Sequence, residues 1–374
     1  MLLSDICEII MGQSPSSDSY NVKGQGLPFF QGNADFGKLY PSVRLWCNCP
    51  IKKAEAGDLL VSVRAPIGAV NLANQKCCIG RGLAALRPYR DKCDAMYLYY
   101  LIKAGKNKLN WLGTGSTFKA ITRSSLLSFN VPDYCIALQR KISGKLWSVD
   151  KLIHQRNEQL KLFDLLIQSR FLEMFGNMIH ASSGFREMTL EEVCRKNGDV
   201  RCGPFGTQLS KSDYLDSGVP VWGIPEINSG FQIRASDYIS KEKANLLSLY
   251  SIISGDIVMS RKGNVGKCEI YPSGYPVGIM HSDVLRIRVN KDLVNPTFLK
   301  YQFHFSERIK HQIDIVSHGA IMAGINVTKL KNINVLLPAI NRQNQFSEFI
   351  HQVDKSKYRG TISLHLLEDV SHML

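Results

Sequence analysis

The feature that most restricts what this chain can fold into is that it repeats itself once. Sliding the sequence along itself aligns Gly57-Asp58-Leu59-Leu60-Val61-Ser62 with Gly255-Asp256-Ile257-Val258-Met259-Ser260, and Gly68 with Gly266, at an offset of 198 (255 − 57). The offset then drifts in one direction. Leu83-Ala84-Ala85-Leu86-Arg87 meets Val284-Leu285-Arg286-Ile287-Arg288, and Leu98 and Tyr100 meet Leu299 and Tyr301, at 201 (288 − 87). From Gly115, which meets Gly319, it settles at 204 (319 − 115); there Ile121 meets Ile325, Leu126 meets Leu330, Gln139 meets Gln343, and Val149-Asp150-Lys151 meets Val353-Asp354-Lys355. Upstream, Gly26-Leu27-Pro28 echoes Gly218-Val219-Pro220 at 192 (218 − 26). Ordered matches with a monotonic drift are what a duplication with small loop insertions leaves behind. Two unrelated domains sharing common turn chemistry would not stay collinear in this way.

Each half opens with short apolar, β-branched or aromatic runs punctuated by Gly, Pro and Asn, the pattern of strands and turns. In the first half these are Leu27 to Gln31, Leu59 to Val63, Leu83 to Leu86 and Phe129 to Val131. In the second they are Val219 to Ile224, Ile257 to Ser260, Val284 to Val289 and Ile333 to Leu337. Helical stretches lie between them, Ala95 to Lys108 and Pro296 to Ile315. Each half therefore begins as a mixed α/β globule.

The character changes after Pro132. From Gln139 to Phe175 there is no Pro and only one Gly, and Ile142, Leu146, Val149, Ile153, Leu160, Phe163, Ile167 and Met174 recur at alternating spacings of four and three, broken by Arg156 and Arg170. That is a heptad seam. The duplicate places Phe346, Ile350 and Val353 on the matching positions and continues with Leu364 and Leu367; Lys357 and Gly360 weaken it in the middle, so the second helix is expected to be the less regular. The counterpart of Phe175 would fall beyond the last residue, Leu374. An isolated helix is marginal in water and each seam needs a buried surface, so the two helices are expected to pair antiparallel. A helix over residues 139 to 175 would be about 55 Å long, roughly one and a half turns of duplex DNA. The expected architecture is α+β: mixed α/β globules at 1–135 and 181–340, a central helical spacer at 136–180 and a second spacer at 341–374.

Forty-six Lys and Arg against 32 Asp and Glu leave a net charge of +14, which fits a polyanionic partner or, equally, a basic protein kept soluble by its charge. With 44% hydrophobic and 21% charged residues the chain is expected to fold throughout. The opening Met1-Leu2-Leu3-Ser4-Asp5 reads as no export leader, and no apolar run is long enough to span a bilayer. A cytoplasmic location is expected. The ten cysteines include Cys47 and Cys49 as C-x-C and the adjacent Cys77 and Cys78 but no C-x-x-C, a pattern that favours reduced core thiols over a zinc site.

Two strand-rich domains, each followed by a similar long helix, in one basic chain of this length resemble the specificity subunit of type I restriction-modification systems. The residues that carry the resemblance are the openings Gly12-Gln13-Ser14-Pro15 and Gly203-Pro204-Phe205-Gly206-Thr207, and the paired strands Leu59 to Ser62 and Ile257 to Ser260. To these are added the loops Gly115-Ser116-Thr117 and Gly319-Ala320-Ile321 and the helix starts Pro132 to Gln139 and Pro338 to Gln343. The resemblance implies two pseudo-symmetric target recognition domains joined by two long antiparallel coiled-coil helices. It further implies that each domain reads one half of a bipartite, asymmetric target in double-stranded DNA. In such a complex the helices set the spacing and dock methyltransferase subunits, and ATP-dependent restriction subunits join further out.

The sequence itself offers no catalytic machinery. It has neither an N/D-P-P-Y/F segment nor a glycine-rich cofactor loop after a strand, Asn48-Cys49-Pro50 being the nearest string, and no G-x-x-x-x-G-K-S/T loop. A non-catalytic subunit without a cofactor is expected, the other reading being a scaffold whose coiled coil presents two binding globules. Reading base edges requires donors and acceptors on loops that reach into a groove. The candidates are Ser62, Arg64, Gly80, Arg81, Gly82, Lys119 and Arg123 in the first half, and Gln208, Lys211, Ser260, Arg261, Lys262, His281, Ser282 and Lys329 in the second. Gly80-Arg81-Gly82 reads either as a backbone that approaches a phosphate while Arg81 reaches further, or as a tight turn with a solvated arginine. Arg261-Lys262 reads as phosphate contact or as solvated charge. His281 takes the place of Gly80 in the repeat, so it reads as loop variation and not as a metal ligand or catalytic residue. Gln13, Ser14 and Thr207 fit local turn roles, and Arg156 and Arg170 fit register setting or contact with a partner subunit.

Overall fold

The duplicated Gly-Asp strands lie at the centre of the same sheet, built twice. In a computed structural model describing residues 1–113, 119–178, 184–196, 198–263, 265–317 and 324–373, the first sheet runs Cys7–Met11, Leu83–Pro88, Leu59–Ser62, Val70–Leu72 in spatial order, all antiparallel. The second runs Val200–Cys202, Val284–Ile287, Ile257–Ser260, Cys268–Ile270, again antiparallel. Leu59 faces Leu86 in one and Ile257 faces Ile287 in the other, the register that the drifting offset requires. The loops Gly115–Thr117 and Gly319–Ile321 lie outside the described residues.

A second sheet accompanies each copy. Leu27–Phe30 pairs parallel with Cys77–Ile79, and Val219–Trp222 pairs parallel with Gly278–Met280, with antiparallel strands on either side. The first copy carries one additional edge strand, Tyr20–Asn21. Chain contacts divide the molecule into one unit of Met1–Gln155 with Leu364–Leu374 and another of Arg156–Ser363. Cys7, Cys47, Cys77, Cys78, Cys93 and Cys268 are buried as small core residues, and burial pushes the Cys7, Cys77, Cys78 and Cys93 thiols up to about 12.

The Gly-Asp signature repeats because its aspartate is a buried anchor. Asp58 and Asp256 are both 2% exposed. Arg87 donates from Nε and Nη2 to Asp58 at 3.1 and 2.9 Å, and Arg288 donates from the same two atoms to Asp256 at 2.7 Å each. Each carboxylate also accepts the amide that closes the preceding turn, from Glu55 and Ile253. A bidentate pair with its remaining lone pair satisfied is the arrangement in which a buried charge is tolerated.

Three expectations for local structure need correction. Ala95 to Lys108 is two helices, Ala95–Ala104 and Lys106–Leu112, meeting at Gly105, where a Cβ would lie 2.7 Å from the Phe129 ring. Pro296 to Ile315 is likewise Pro296–Phe305 and Glu307–Ser317, interrupted by the extended backbone of Ser306. Phe129 to Val131 forms only an isolated bridge from Asn130 to Leu2, whereas its counterpart Asn334–Leu337 is a full strand paired with Arg186–Thr189.

The seam is present as a pattern of burial. The first long helix runs Ile136–Phe175, about 60 Å at ~1.5 Å per residue. Ile142, Leu146, Val149, Ile153, Leu160, Phe163, Ile167 and Met174 are buried or half-buried, and so are the seam arginines Arg156 and Arg170. Ile142 and Leu146 close the core of the first unit. The second long helix, Ile340–Met373, is unbroken. Within the second unit it lies antiparallel to the first: Arg342 bonds the Met174 carbonyl, Phe346 packs on Phe171 and Phe175, and Arg170 lies over Phe349. Further along, Lys357 pairs with Asp164 at 2.6 Å and Leu160 lies over Gly360. The two positions that weaken the heptad are thus matched by a carboxylate and a larger side chain on the facing helix. Ile350, Val353 and Leu364 are buried and Leu367 is half-buried.

A buried glutamine ties each long helix to its domain. Gln139 accepts from the Asp94 amide at 3.0 Å and donates to the Lys92 and Tyr134 carbonyls at 2.9 and 2.8 Å. Gln343 repeats this with the Asn295 amide at 2.9 Å and the Leu293 and Pro338 carbonyls at 3.3 and 2.8 Å. Asp94 and Asn295 are themselves the N-caps of the helices that follow.

Candidate nucleic-acid interface

At one end of each central sheet several loops are knitted together by backbone hydrogen bonds. In the first unit Gly12 donates to the Leu83 carbonyl, Gln13 to Ile79, Gly80 to Phe30 and Val63 to Gly82, all within 3.0 Å. Ile121 donates to Val63 at 2.8 Å, and Arg64 bridges to Ala120. The segments around residues 12–14, 31–33, 63–64, 80–82 and 119–123 therefore meet.

The structure changes what the two glycines beside Arg81 are for. A Cβ on Gly82 would sit 2.2 Å from the Gln31 carbonyl oxygen, and one on Gly80 would sit 3.2 Å from the Gln31 Cα. A Cβ on Gly12 would sit 2.2 Å from the Gly80 carbonyl oxygen. These glycines serve close approach of protein backbone to protein backbone. They hold the loop of Gln31, which is exposed and whose amide is fixed by buried Asp35 at 2.8 Å. Arg81 is exposed, with its amide bound to Ser14 Oγ at 3.2 Å.

Ser62 is buried, and its hydroxyl donates to the Arg64 carbonyl at 2.8 Å; Ser260 is its counterpart, donating to Lys262 at 2.6 Å. Both serines brace the turn that aims the basic residue after them. Arg64, Lys119 and Arg123 are exposed, and among the described residues none of them, nor Arg81, has a carboxylate partner. Arg123 opens the short helix Arg123–Leu127, capped by Thr122.

The second unit builds the junction with different side chains. Gly203 donates to the Val284 carbonyl at 3.0 Å, and a Cβ on it would lie 2.1 Å from the His281 oxygen. His281 donates its amide to Trp222, and its ring Nδ1 accepts from the Asp283 amide at 3.2 Å, a loop-bracing role. Lys262 pairs with Asp283 at 2.8 Å and bridges to Gly324. The Arg261 guanidinium lies 4.7 Å from the centre of the Phe205 ring, and Nη1 donates to the Ser282 carbonyl at 3.4 Å. Lys329 completes the cap of its helix through Asn326 and donates from Nζ to the Val316 carbonyl at 2.6 Å. Gln208 follows Phe205 and accepts from the Tyr250 hydroxyl at 2.9 Å; Lys211, exposed on the next turn, makes none of the contacts that knit the junction.

The candidate residues read from the sequence did not include Gln31 and Phe205, which lie in the two loop junctions. Phe205 was legible as an aromatic inside the Gly-Pro-Phe-Gly opening, where no core position calls for it; Gln31 carried no signal, since its place depends on a contact with Gly82 far along the chain. Among the described residues no cluster of His, Cys, Asp or Glu could hold a metal ion, and no helix is long and apolar enough to cross a membrane.

Comparison with known proteins matches this arrangement to a family. The model described as "Type I restriction modification DNA specificity domain" covers residues 1–162 and again 182–362. The chain is 44% identical over 152 residues to the putative type I restriction enzyme MjaX specificity subunit of Methanocaldococcus jannaschii, covering 41% of this chain and 36% of that protein. It is 23% identical over 260 residues to the MjaIX specificity subunit of the same organism, covering 64% and 60%. The matched regions thus span less than two thirds of these relatives. The crystal structure of a type I restriction-modification system S subunit from M. genitalium shares the fold over 100% of this chain and 93% of that one, with a TM-score of 0.64 at 14% identity. With the family model laid twice over nearly its whole length, one copy on each half of the internal repeat, the chain belongs to the type I restriction modification DNA specificity domain family.

Proposed function

We propose that this chain is the sequence-reading, non-catalytic subunit of a type I restriction-modification complex. Residues 1–135 and 181–340 act as target recognition domains, each reading one half of a bipartite, asymmetric site in double-stranded DNA. The helices around 136–180 and 341–374 set the gap between the half-sites and dock methyltransferase subunits, restriction subunits joining outside them. Methyl transfer and cleavage belong to those partners.

The observation that carries the reading is that one loop junction is constructed twice on one sheet topology while the side chains it displays differ. In the first unit Arg64, Arg81, Lys119 and Arg123 are exposed and have no carboxylate partner among the described residues. In the second the cations are braced by Asp283, Phe205 and Ser282. A repeated frame with divergent tips suits two readers of different base sequences, and unpaired cations suit phosphates.

The test is duplex binding by the full chain across a salt series, followed by domain exchange. Log affinity is expected to fall linearly with log salt, as counterion release requires. Replacing residues 1–135 by the corresponding domain of another family member is expected to change bases in only one half of the target, read by methylation-site sequencing of the assembled complex. Altered bases in both halves, or affinity indifferent to salt, would refute the assignment.

A further inference from the structure

We propose that Arg261 reads a guanine edge in the half-site of the second unit and that Phe205 is the positioning residue that fixes its plane. The proposal rests on the DNA-reading assignment above and adds to it a base and a pair of residues.

Arg261 follows directly from the strand Ile257–Ser260 and is held through its backbone, through Nη1 and against one aromatic ring. Its amide donates to the Asp283 carbonyl at 2.9 Å, and its carbonyl accepts from the Ile325 amide at 3.0 Å. The guanidinium lies over the Phe205 ring with 4.7 Å to its centre, and Nη1 is bound to the Ser282 carbonyl. Nε and Nη2 have no acceptor among the described residues. The adjacent carboxylate, Asp283, is taken by Lys262 at 2.8 Å, so Arg261 is ordered without being neutralised. Beside it opens a cavity of about 260 Å³, lined also by Lys262, Asn326 and Lys329.

This is more order than a phosphate contact needs. A guanidinium can also fork onto a phosphate, but a lysine serves a phosphate as a point charge, so a fixed plane is not required there. A planar fork held by Ser282 and Phe205, with Nε and Nη2 lacking an acceptor among the described residues, matches the two acceptors that guanine shows in the major groove, O6 and N7. Phe205 supplies the plane. It is 48% exposed on its loop, and the ring face is the surface on which a guanidinium stacks. The loop is itself fixed by the close approach of Gly203, where a Cβ would lie 2.1 Å from the His281 oxygen, and by the Gln208 amide, which donates to the Phe205 carbonyl at 3.1 Å.

The device is confined to one half. In the internal repeat Ser14 takes the place of Phe205 and Val63 that of Arg261. Any effect of these two residues should therefore fall on the second half-site alone.

The experiment selects bound duplexes from a library randomised over both half-sites, using the full chain and the variants Arg261→Gln, Phe205→Leu and Phe205→Tyr. Arg261→Gln is expected to lower the preference for a single guanine by roughly tenfold to a hundredfold, leaving the other half-site and the salt slope unchanged. Phe205→Leu is expected to weaken the same preference, and Phe205→Tyr, which keeps the ring, to restore it. The proposal is overturned if Arg261→Gln weakens all duplexes alike and lowers the salt slope by about one, the mark of a phosphate contact. Equal effects of Phe205→Leu and Phe205→Tyr overturn the positioning role. A wild-type motif without guanine in that half sinks this proposal but keeps the DNA-reading assignment, whereas a wild type that selects no two-part motif removes both.

Discussion

Replacing Gln139 by Leu tests whether one buried side chain joins the first long helix to its domain. The amide group makes three hydrogen bonds, to the Asp94 amide and the Lys92 and Tyr134 carbonyls, and the residue is 2% exposed. Leucine fills nearly the same volume, so little cavity is created, but three backbone groups lose their partner. Each such group costs about 1–3 kcal/mol when left unsatisfied, and the added apolar surface returns about 1 kcal/mol. A net loss of about 2–8 kcal/mol follows, a large share of the ~5–15 kcal/mol that holds a domain together. In a unit of this size that is a fall in Tm of about 4–30 °C. Urea unfolding followed by circular dichroism measures the loss, and hydrogen exchange at the Asp94 amide reports the broken bond directly. A loss below about 1 kcal/mol, or unchanged protection of that amide, would show that water replaces the glutamine and that the joint lies elsewhere.

Two further outcomes are expected. Burial, with Lys300 adding to it, holds the His304 imidazole down to about 4 from its ordinary 6.5. The unfolded chain therefore takes up a proton that the folded unit refuses, and stability present above pH 6.5 is lost as pH falls towards 4, by at most about 3 kcal/mol. His304→Leu should flatten this slope in urea midpoints compared at pH 7.5 and 5; a slope as steep as that of the wild type would assign it to other groups. Gly360 sits inside the second long helix with Leu160 Cδ2 3.4 Å from where a Cβ would stand, an ordinary contact distance. Gly360→Ala should stabilise by up to about 1 kcal/mol through helix propensity, whereas Gly360→Leu should overpack and cost about 1–3 kcal/mol. A destabilised alanine variant would mean that the helices pack closer than this distance allows.

What could be read in the sequence follows from the kind of interaction behind each feature. The central strands were legible because Asp58 and Arg87 recur as Asp256 and Arg288 at the drifting offset, and the structure explains the recurrence by pairing them. The helical seam was legible because burial recurs every three or four residues along one continuous element. Gln139 and Gln343 appeared in the repeat as matched positions, but their partners are backbone groups, which have no letter in the sequence. The breaks at Gly105 and Ser306 were hidden for a related reason. Gly105 interrupts its helix where Phe129 packs against it, a contact between segments that are not neighbours in the chain.

The sequence by itself determined the duplication, the two α/β globules, the heptad helices and the basic charge, because each is written in local periodicity or in matched residues. Tertiary structure alone decided which loops meet, why glycines flank Arg81, and that Arg261 lies over Phe205. Those facts depend on backbone and ring contacts between segments dozens of residues apart, and a distance between such segments exists only once the sheets have closed.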